Sequence, residues 1–190
     1  IYRDEEKYIW DLYCSHAKLV SADYSYVPEI VSPWTQYLQN KKVLVISPFA
    51  ELIREQYQKR EYLYKNPMVL PEFELFTLKA VQSIAHNHEN LPFSNWFEAR
   101  DSMCAEIDKL DFDIALIGAG AYGIPLGVHC KNKGKQAVLM GGMLQVLFGI
   151  YGQRWEERLA NEGILNEHWV RPRPQDRPKG YEAVEHGCYW

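Results

Sequence analysis

Hydrophobic positions along this chain follow two periods. Short unbroken apolar runs occur at residues 42–46 (KVLVI), 113–117 (DIALI) and 136–140 (QAVLM). Apolar runs without polar alternation suit parallel strands buried on both faces. A further strand is expected over residues 73–78. Helical spacing fills the gaps. Tyr8, Ile9, Leu12, Tyr13 and Ala17 form a stripe over residues 4–18. Ser47 followed by Pro48 predicts a helix start, with Phe49, Leu52, Ile53, Tyr57 and Tyr64 inward and Arg54, Glu55, Lys59 and Arg60 in water as far as about Lys65. Ser94 is expected to cap a helix whose stripe is Trp96, Ala99, Met103, Ile107 and Leu110.

A helix over residues 124–133 is closed by Gly134 as its C′ residue, a buried short helix follows over 143–150, and a last one spans 154–162. Residues 22–39, with Pro28 and Pro33, read as a connection anchored by Trp34 and Tyr37, and residues 81–92 as a polar connection. From Val170 the chain is irregular. Strands alternating with helices imply one α/β domain with a mainly parallel sheet. Its parts are an N-terminal helix and connection (1–40), the α/β core (41–165) and a tail (166–190) whose Tyr189 and Trp190 are too aromatic to stay undocked.

Right-handed crossovers put every strand-to-helix loop on one edge of such a sheet, where ligands bind. Ser47-Pro48-Phe49, Gly118 to Gly123 and Gly141-Gly142 share that edge. Gly118-x-Gly120-x-x-Gly123 matches the dinucleotide fingerprint, in which Gly118 and Gly120 admit a phosphate and Gly123 packs the helix on the strand. The acid expected at the end of the next strand is missing, since that strand ends Leu139-Met140-Gly141-Gly142. NAD or FAD is therefore not expected. Another phosphate ligand, or a tight turn with no ligand, remains open. Gly141-Gly142 reads as an anion site at a helix start or as close packing. Ser47 reads as a phosphate contact or a cap, and Gln145 as a partner for a buried backbone group or a cleft residue.

Arg154, Arg171, Arg173 and Arg177 make the last third locally basic, for a diphosphate or for acidic neighbours. Glu185 and His186 are the acid–base candidates. His86 and His88, with Glu89, form a possible metal half-site or a solvated loop. Asp111-x-Asp113 falls at the start of its strand, away from the binding edge. Walker A, GxSxG, HExxH and EF-hand patterns are missing from the sequence.

The net charge of −4 argues against nucleic acid as a partner. Cys14, Cys104, Cys130 and Cys188 contain no CxxC pair, which points to a reducing, cytoplasmic setting. No apolar stretch is long enough to span a membrane, and IYRDEEKYIW lacks the character of a signal peptide. The chain lacks an initiator Met, as a processed or trimmed piece of a longer protein would.

Three blocks together, KKVLVISPF at 41–49, residues 112–155 and the closing Gly187-Cys188-Tyr189-Trp190, resemble bacterial proteins of the GT-D-type glycosyltransferase fold, over about Pro33 to Trp190. The resemblance implies a Rossmann-like three-layer fold and sugar transfer from a nucleotide-sugar to an acceptor, often with Mn²⁺ or Mg²⁺. In that picture Ser47, Gly118, Gly120, Gly123, Gly141 and Gly142 cradle the diphosphate, Gln145 and Arg154 meet polar parts of the donor, and Glu185 or His186 serves as acid–base group. The family's N-terminal Arg-Phe-Gly-Asp-Gly-Glu-like segment is not seen, only Arg3-Asp4-Glu5-Glu6, so the metal ligands are not assigned. An NAD(P)-dependent oxidoreductase and a non-catalytic phosphate-binding protein are the alternatives.

Overall fold

The computed structural model describes residues 4–18, 20, 31–82 and 91–190. The His86-x-His88 pair with Glu89, Arg3, and most of the connection after residue 20 lie outside the described residues.

Four strands, β1 (Lys42–Ser47), β2 (Glu74–Lys79), β3 (Ile114–Ile117) and β4 (Gln136–Leu139), form an all-parallel sheet in the order β2-β1-β3-β4. The helices are α1 (Asp4–Ile9), α2 (Ala50–Tyr57), α3 (Arg60–Leu63), α4 (Trp96–Asp108), α5 (Gly123–Asn132), α6 (Met143–Leu147) and α7 (Gln153–Asn161). Consecutive β1 side chains alternate between two cores. Val43 and Val45, with Leu116, pack against Leu52, Ile53, Leu144 and Leu159 on one face. Leu44 and Ile46, with Ala115 and Ile117, pack against Met103, Ile107 and Leu126 on the other. All four β1 side chains are fully buried, each worth about 1.5–3 kcal/mol. The result is a three-layer, Rossmann-like α/β fold. Among the described residues no helix is long and apolar enough to cross a membrane.

Several local expectations are corrected. Ser47 does not cap α2. It pairs with Lys79 as the last residue of β1, and its Oγ accepts the Phe49 N–H at 3.1 Å. That turn delays the helix to Ala50, with Phe49 at the N-cap. The helix expected to reach Lys65 breaks after Tyr57 and resumes as α3. Arg54 donates to Thr77 Oγ1 on β2 at 2.6 Å. The cap of α4 is Asn95, not Ser94: Asn95 Oδ1 accepts from Glu98 N at 3.0 Å, while the Glu98 carboxylate accepts from Ser94 N at 2.8 Å. Tyr37 is no anchor, being 76% exposed, and Thr35 and Leu38 are the buried residues of that turn. The Asp111 carboxylate pairs with Lys42 and Lys135 at the start of the sheet.

Candidate functional site

The chain runs from β1 to β2 over one face and from β3 to β4 over the other, so the sheet reverses direction between β1 and β3. Open α/β sheets bind ligands at the carboxyl ends of strands at such a point. There Gly118 N–H donates to Ile46 carbonyl at 2.9 Å, tying the end of β3 to β1. A cavity of about 400 Å³ opens above this crevice, bounded by the loops after β1, β3 and β4, by Trp96 of α4, and by the tail.

The glycines differ in what they do. A Cβ on Gly118 would lie 2.6 Å from the Gly141 carbonyl oxygen, so Gly118 lets the loops after β3 and β4 pass against each other. Gly120 adopts φ +52, a conformation that favours glycine. Gly123 does not make the close helix–strand contact expected of it, because a Cβ there would meet nothing within 4 Å. That contact belongs to Gly127, whose Cβ would come 3.0 Å from Leu139 Cδ2. Among the described residues, the N–H groups of Ala119, Gly120 and Ala121 have no hydrogen-bond partner. All three residues line the cavity, and α5, which starts next, has no side-chain cap. These donors lie in the turn that leads into the ten-residue α5, whose positive end favours an anion.

The second glycine pair does otherwise. The helix α6 has only five residues, and the first N–H groups of this turn are already spent, Met143 on Met140 and Leu144 on Gly141. Gly142 instead seats the tail: its Cβ would lie 2.8 Å from Tyr189 Cε1. Gly152 does the same for the backbone, its Cβ falling 2.4 Å from the Tyr189 carbonyl carbon. The tail is held further by Arg154 N donating to Cys188 O at 2.9 Å and by Trp190 Nε1 donating to Asp176 O at 3.1 Å.

Gln145 is 3% exposed. Its Nε2 donates to the Tyr189 carbonyl at 3.1 Å, and the residue also lines the cavity, so both readings of it hold. Arg154 is not in the cavity wall. Its Nη1 donates to Glu185 Oε2 at 2.7 Å and to the Tyr189 hydroxyl at 2.8 Å, and its guanidinium lies over the rings of Trp155 and Tyr189. Burial pushes the Tyr189 phenol above its ordinary pKa, and the Arg154 charge partly opposes this. Among the described residues Glu185 is the one carboxylate lining the cavity, whereas His186 is exposed and outside the wall. Both adopt left-handed backbone, φ 45 and φ 57, followed by Gly187 at φ 74. Two non-glycine residues in that region store strain, which marks a turn that its surroundings hold in place.

The remaining arginines face acidic or aromatic neighbours. Arg171 pairs with Glu156 at 2.5 Å, Arg173 with Asp176 and Glu55 at 2.9 Å, and Arg177 lies over Tyr181. Sequence reasoning missed Trp96 and Tyr122 in the wall. Their rings stack 5.1 Å apart and 5° from parallel, and Arg100 lies over Trp96. This braces the wall. The heptad-like spacing of Trp96 with Ala99 and Met103 signals core packing and hides that role.

Among the described residues no three His, Cys, Asp or Glu side chains converge as a cation's ligand set. Glu185 is already ion-paired. The described residues therefore do not furnish the Mn²⁺ or Mg²⁺ site that the resemblance implies. Among the described residues, a cation arriving on a ligand's phosphates would find Glu185 as the single carboxylate in the wall.

Fold and cavity define this chain as a Rossmann-like α/β domain with a ligand-sized cleft at its topological switch point. No protein-family model, curated protein or solved structure matches it.

Proposed function

We propose that this protein binds a nucleotide-sugar in the switch-point cavity and transfers its sugar to an acceptor. One observation carries the reading: a single cavity joins unpaired backbone donors at Ala119, Gly120 and Ala121 to side-chain acceptors at Gln145 and Glu185. Phosphate oxygens take donors only, and sugar hydroxyls offer hydrogens to acceptors. A ligand with a phosphate at one end and a polyol at the other satisfies both sides. Among the described residues no Lys or Arg lines the cavity, so the loop amides and the α5 N-terminus supply the favourable field for the diphosphate.

In the transfer step an acceptor hydroxyl attacks the anomeric carbon. A new C–O bond forms and the bond to the diphosphate oxygen breaks. Glu185 takes the acceptor's proton, and the diphosphate leaves with the bonding pair, its charge met by the loop amides. Arg154 holds the Glu185 carboxylate at the wall. His186, outside the wall, has no part in this step.

A second reading, binding without transfer, is supported by that same ion pair, since a carboxylate held by Arg154 is a weaker base. A thermal-shift screen of nucleotide-sugars with Mg²⁺, Mn²⁺ or chelator, followed by assay for released nucleoside diphosphate, tests both. Stabilisation with release supports transfer, and stabilisation without release supports binding alone. No stabilisation by any nucleotide-sugar at millimolar concentration sinks both.

A further inference from the structure

The orientation of the Gln145 carboxamide limits what this end of the cavity can recognise. A main-chain carbonyl only accepts hydrogen bonds, so the Tyr189 carbonyl, 3.1 Å away, fixes the amide with its nitrogen toward the tail. The oxygen is left at the other end. Among the described residues, Gln145 Oε1 has no hydrogen-bond partner. Among the described residues the only buried side-chain polar atom without a partner is Trp155 Nε1. Gln145 Oε1 is therefore not sealed in the core, although its residue is 3% exposed. Gln145 is a residue of the cavity wall.

A carboxamide oxygen accepts and never donates. In the tail's part of the wall, the Glu185 carboxylate also accepts when ionised. Neither group can receive a phosphate oxygen. Their shared scaffold is Tyr189. Its carbonyl orients Gln145, and its hydroxyl shares Arg154 with Glu185. The donors of the loop after β3 and the acceptors of the tail thus divide the cavity into an anion-accepting part and a hydroxyl-accepting part.

We propose that Gln145 Oε1 is the specificity-determining acceptor for one hydroxyl group of the ligand's sugar. The proposal rests on the nucleotide-sugar reading above. A buried acceptor left unpaired disfavours any ligand that cannot donate to it. Hydroxyl and fluorine separate the two requirements. Both fit a similar space, but only the hydroxyl donates.

The test uses isothermal titration on the full chain with UDP-, GDP- and dTDP-linked hexoses and the parent nucleoside diphosphates. For the best-bound hexose, each monodeoxy and monofluoro derivative follows. At one ring position, deoxy and fluoro derivatives are both expected to bind about tenfold or more weakly than the hydroxyl compound. In Gln145→Met that discrimination disappears, while the parent nucleoside diphosphate binds within about twofold of wild type. The ligand series on wild type decides the matter if Gln145→Met fails to fold.

A fluoro derivative that keeps its affinity wherever the deoxy compound loses it overturns the proposal. So does a Gln145→Met protein that loses nucleotide and nucleotide-sugar equally. Nucleoside diphosphates that bind with no preference for any sugar hydroxyl overturn this inference and leave the nucleotide site standing. No binding by any nucleotide or nucleotide-sugar overturns the parent reading, and this inference with it.

Discussion

A Cβ placed on Gly142 would lie 2.8 Å from Cε1 of Tyr189, closer than two such carbons approach. Residues 47 positions apart in the chain are in van der Waals contact because one of them has no side chain. The tail closes the cavity through this contact. Gly142→Val should push Tyr189 off its seat and loosen Gln145 and Arg154, which both bond to it. Overpacking of this kind costs about 1–3 kcal/mol. Denaturant unfolding should show that loss, together with a changed near-ultraviolet dichroism from Tyr189 and Trp190. A variant as stable as wild type, with unchanged dichroism, would show that the tail is not seated there.

Arg154 links the carboxylate of Glu185 to the hydroxyl of Tyr189 and acts through both. Arg154→Leu should leave nucleotide binding largely intact and lower turnover roughly a hundredfold, the scale of a displaced catalytic group. The same variant has a second signature. Burial raises the Tyr189 pKa and Arg154 partly lowers it, so removing Arg154 should move that phenol higher still in an ultraviolet titration. Tyr189→Phe identifies the signal. An unmoved phenol titration would mean that Arg154 does not reach Tyr189 in solution.

Glu185 sits at φ 45. Left-handed backbone costs a non-glycine residue about 1–2 kcal/mol, while an exposed ion pair such as Arg154–Glu185 contributes about 0–1 kcal/mol. Glu185→Gly should therefore unfold at the same denaturant concentration as wild type or a higher one, yet lose sugar transfer. Lower stability would mean that the ion pair outweighs the strain. Retained transfer would remove Glu185 from the base role.

Acid should weaken the end of the sheet opposite the cavity. Asp111 is held below its ordinary pKa of 3.8, first by hydrogen bonds from Lys42 and Lys135 and then by their charges. Asp108 is held low by hydrogen bonds from Lys133 and His129. A carboxyl with a lowered folded pKa gives stability that is present above its unfolded value and is lost as pH falls through the folded one. Stability should fall below about pH 4, and Asp111→Asn should flatten part of that fall. Both groups are exposed, so the change is small. An Asp111→Asn curve that parallels wild type through this range would remove Asp111 from the acid limb.

The sheet was legible because β1, β3 and β4 carry apolar residues on both faces, and only a strand buried between two layers tolerates KVLVI. The edge of the sheet at which the cavity opens followed from handedness alone. Finer features were less legible where a long-range partner decided them. Ser47 looks like a cap in sequence, but Lys79 draws it into the ladder. Gly123 completes a motif, yet Gly127 is the residue pressed against Leu139. Gly142 and Gly152 look like loop residues, and their partner Tyr189 lies far along the chain. No periodicity reports such a contact, so the tail's place in the cavity wall had no local signal beyond its unusual aromatic content.

A nucleotide-sugar is proposed to occupy the cavity between the loop after β3 and the tail. Ala121 is exposed and lines that cavity, so Ala121→Trp fills the space without entering the core. Isothermal titration of wild type and Ala121→Trp against the nucleotide-sugar panel measures the claim directly. We expect saturable one-site binding to wild type and none to Ala121→Trp, with both proteins unfolding at the same temperature. Binding that survives in Ala121→Trp, or that is absent from wild type, would contradict the account.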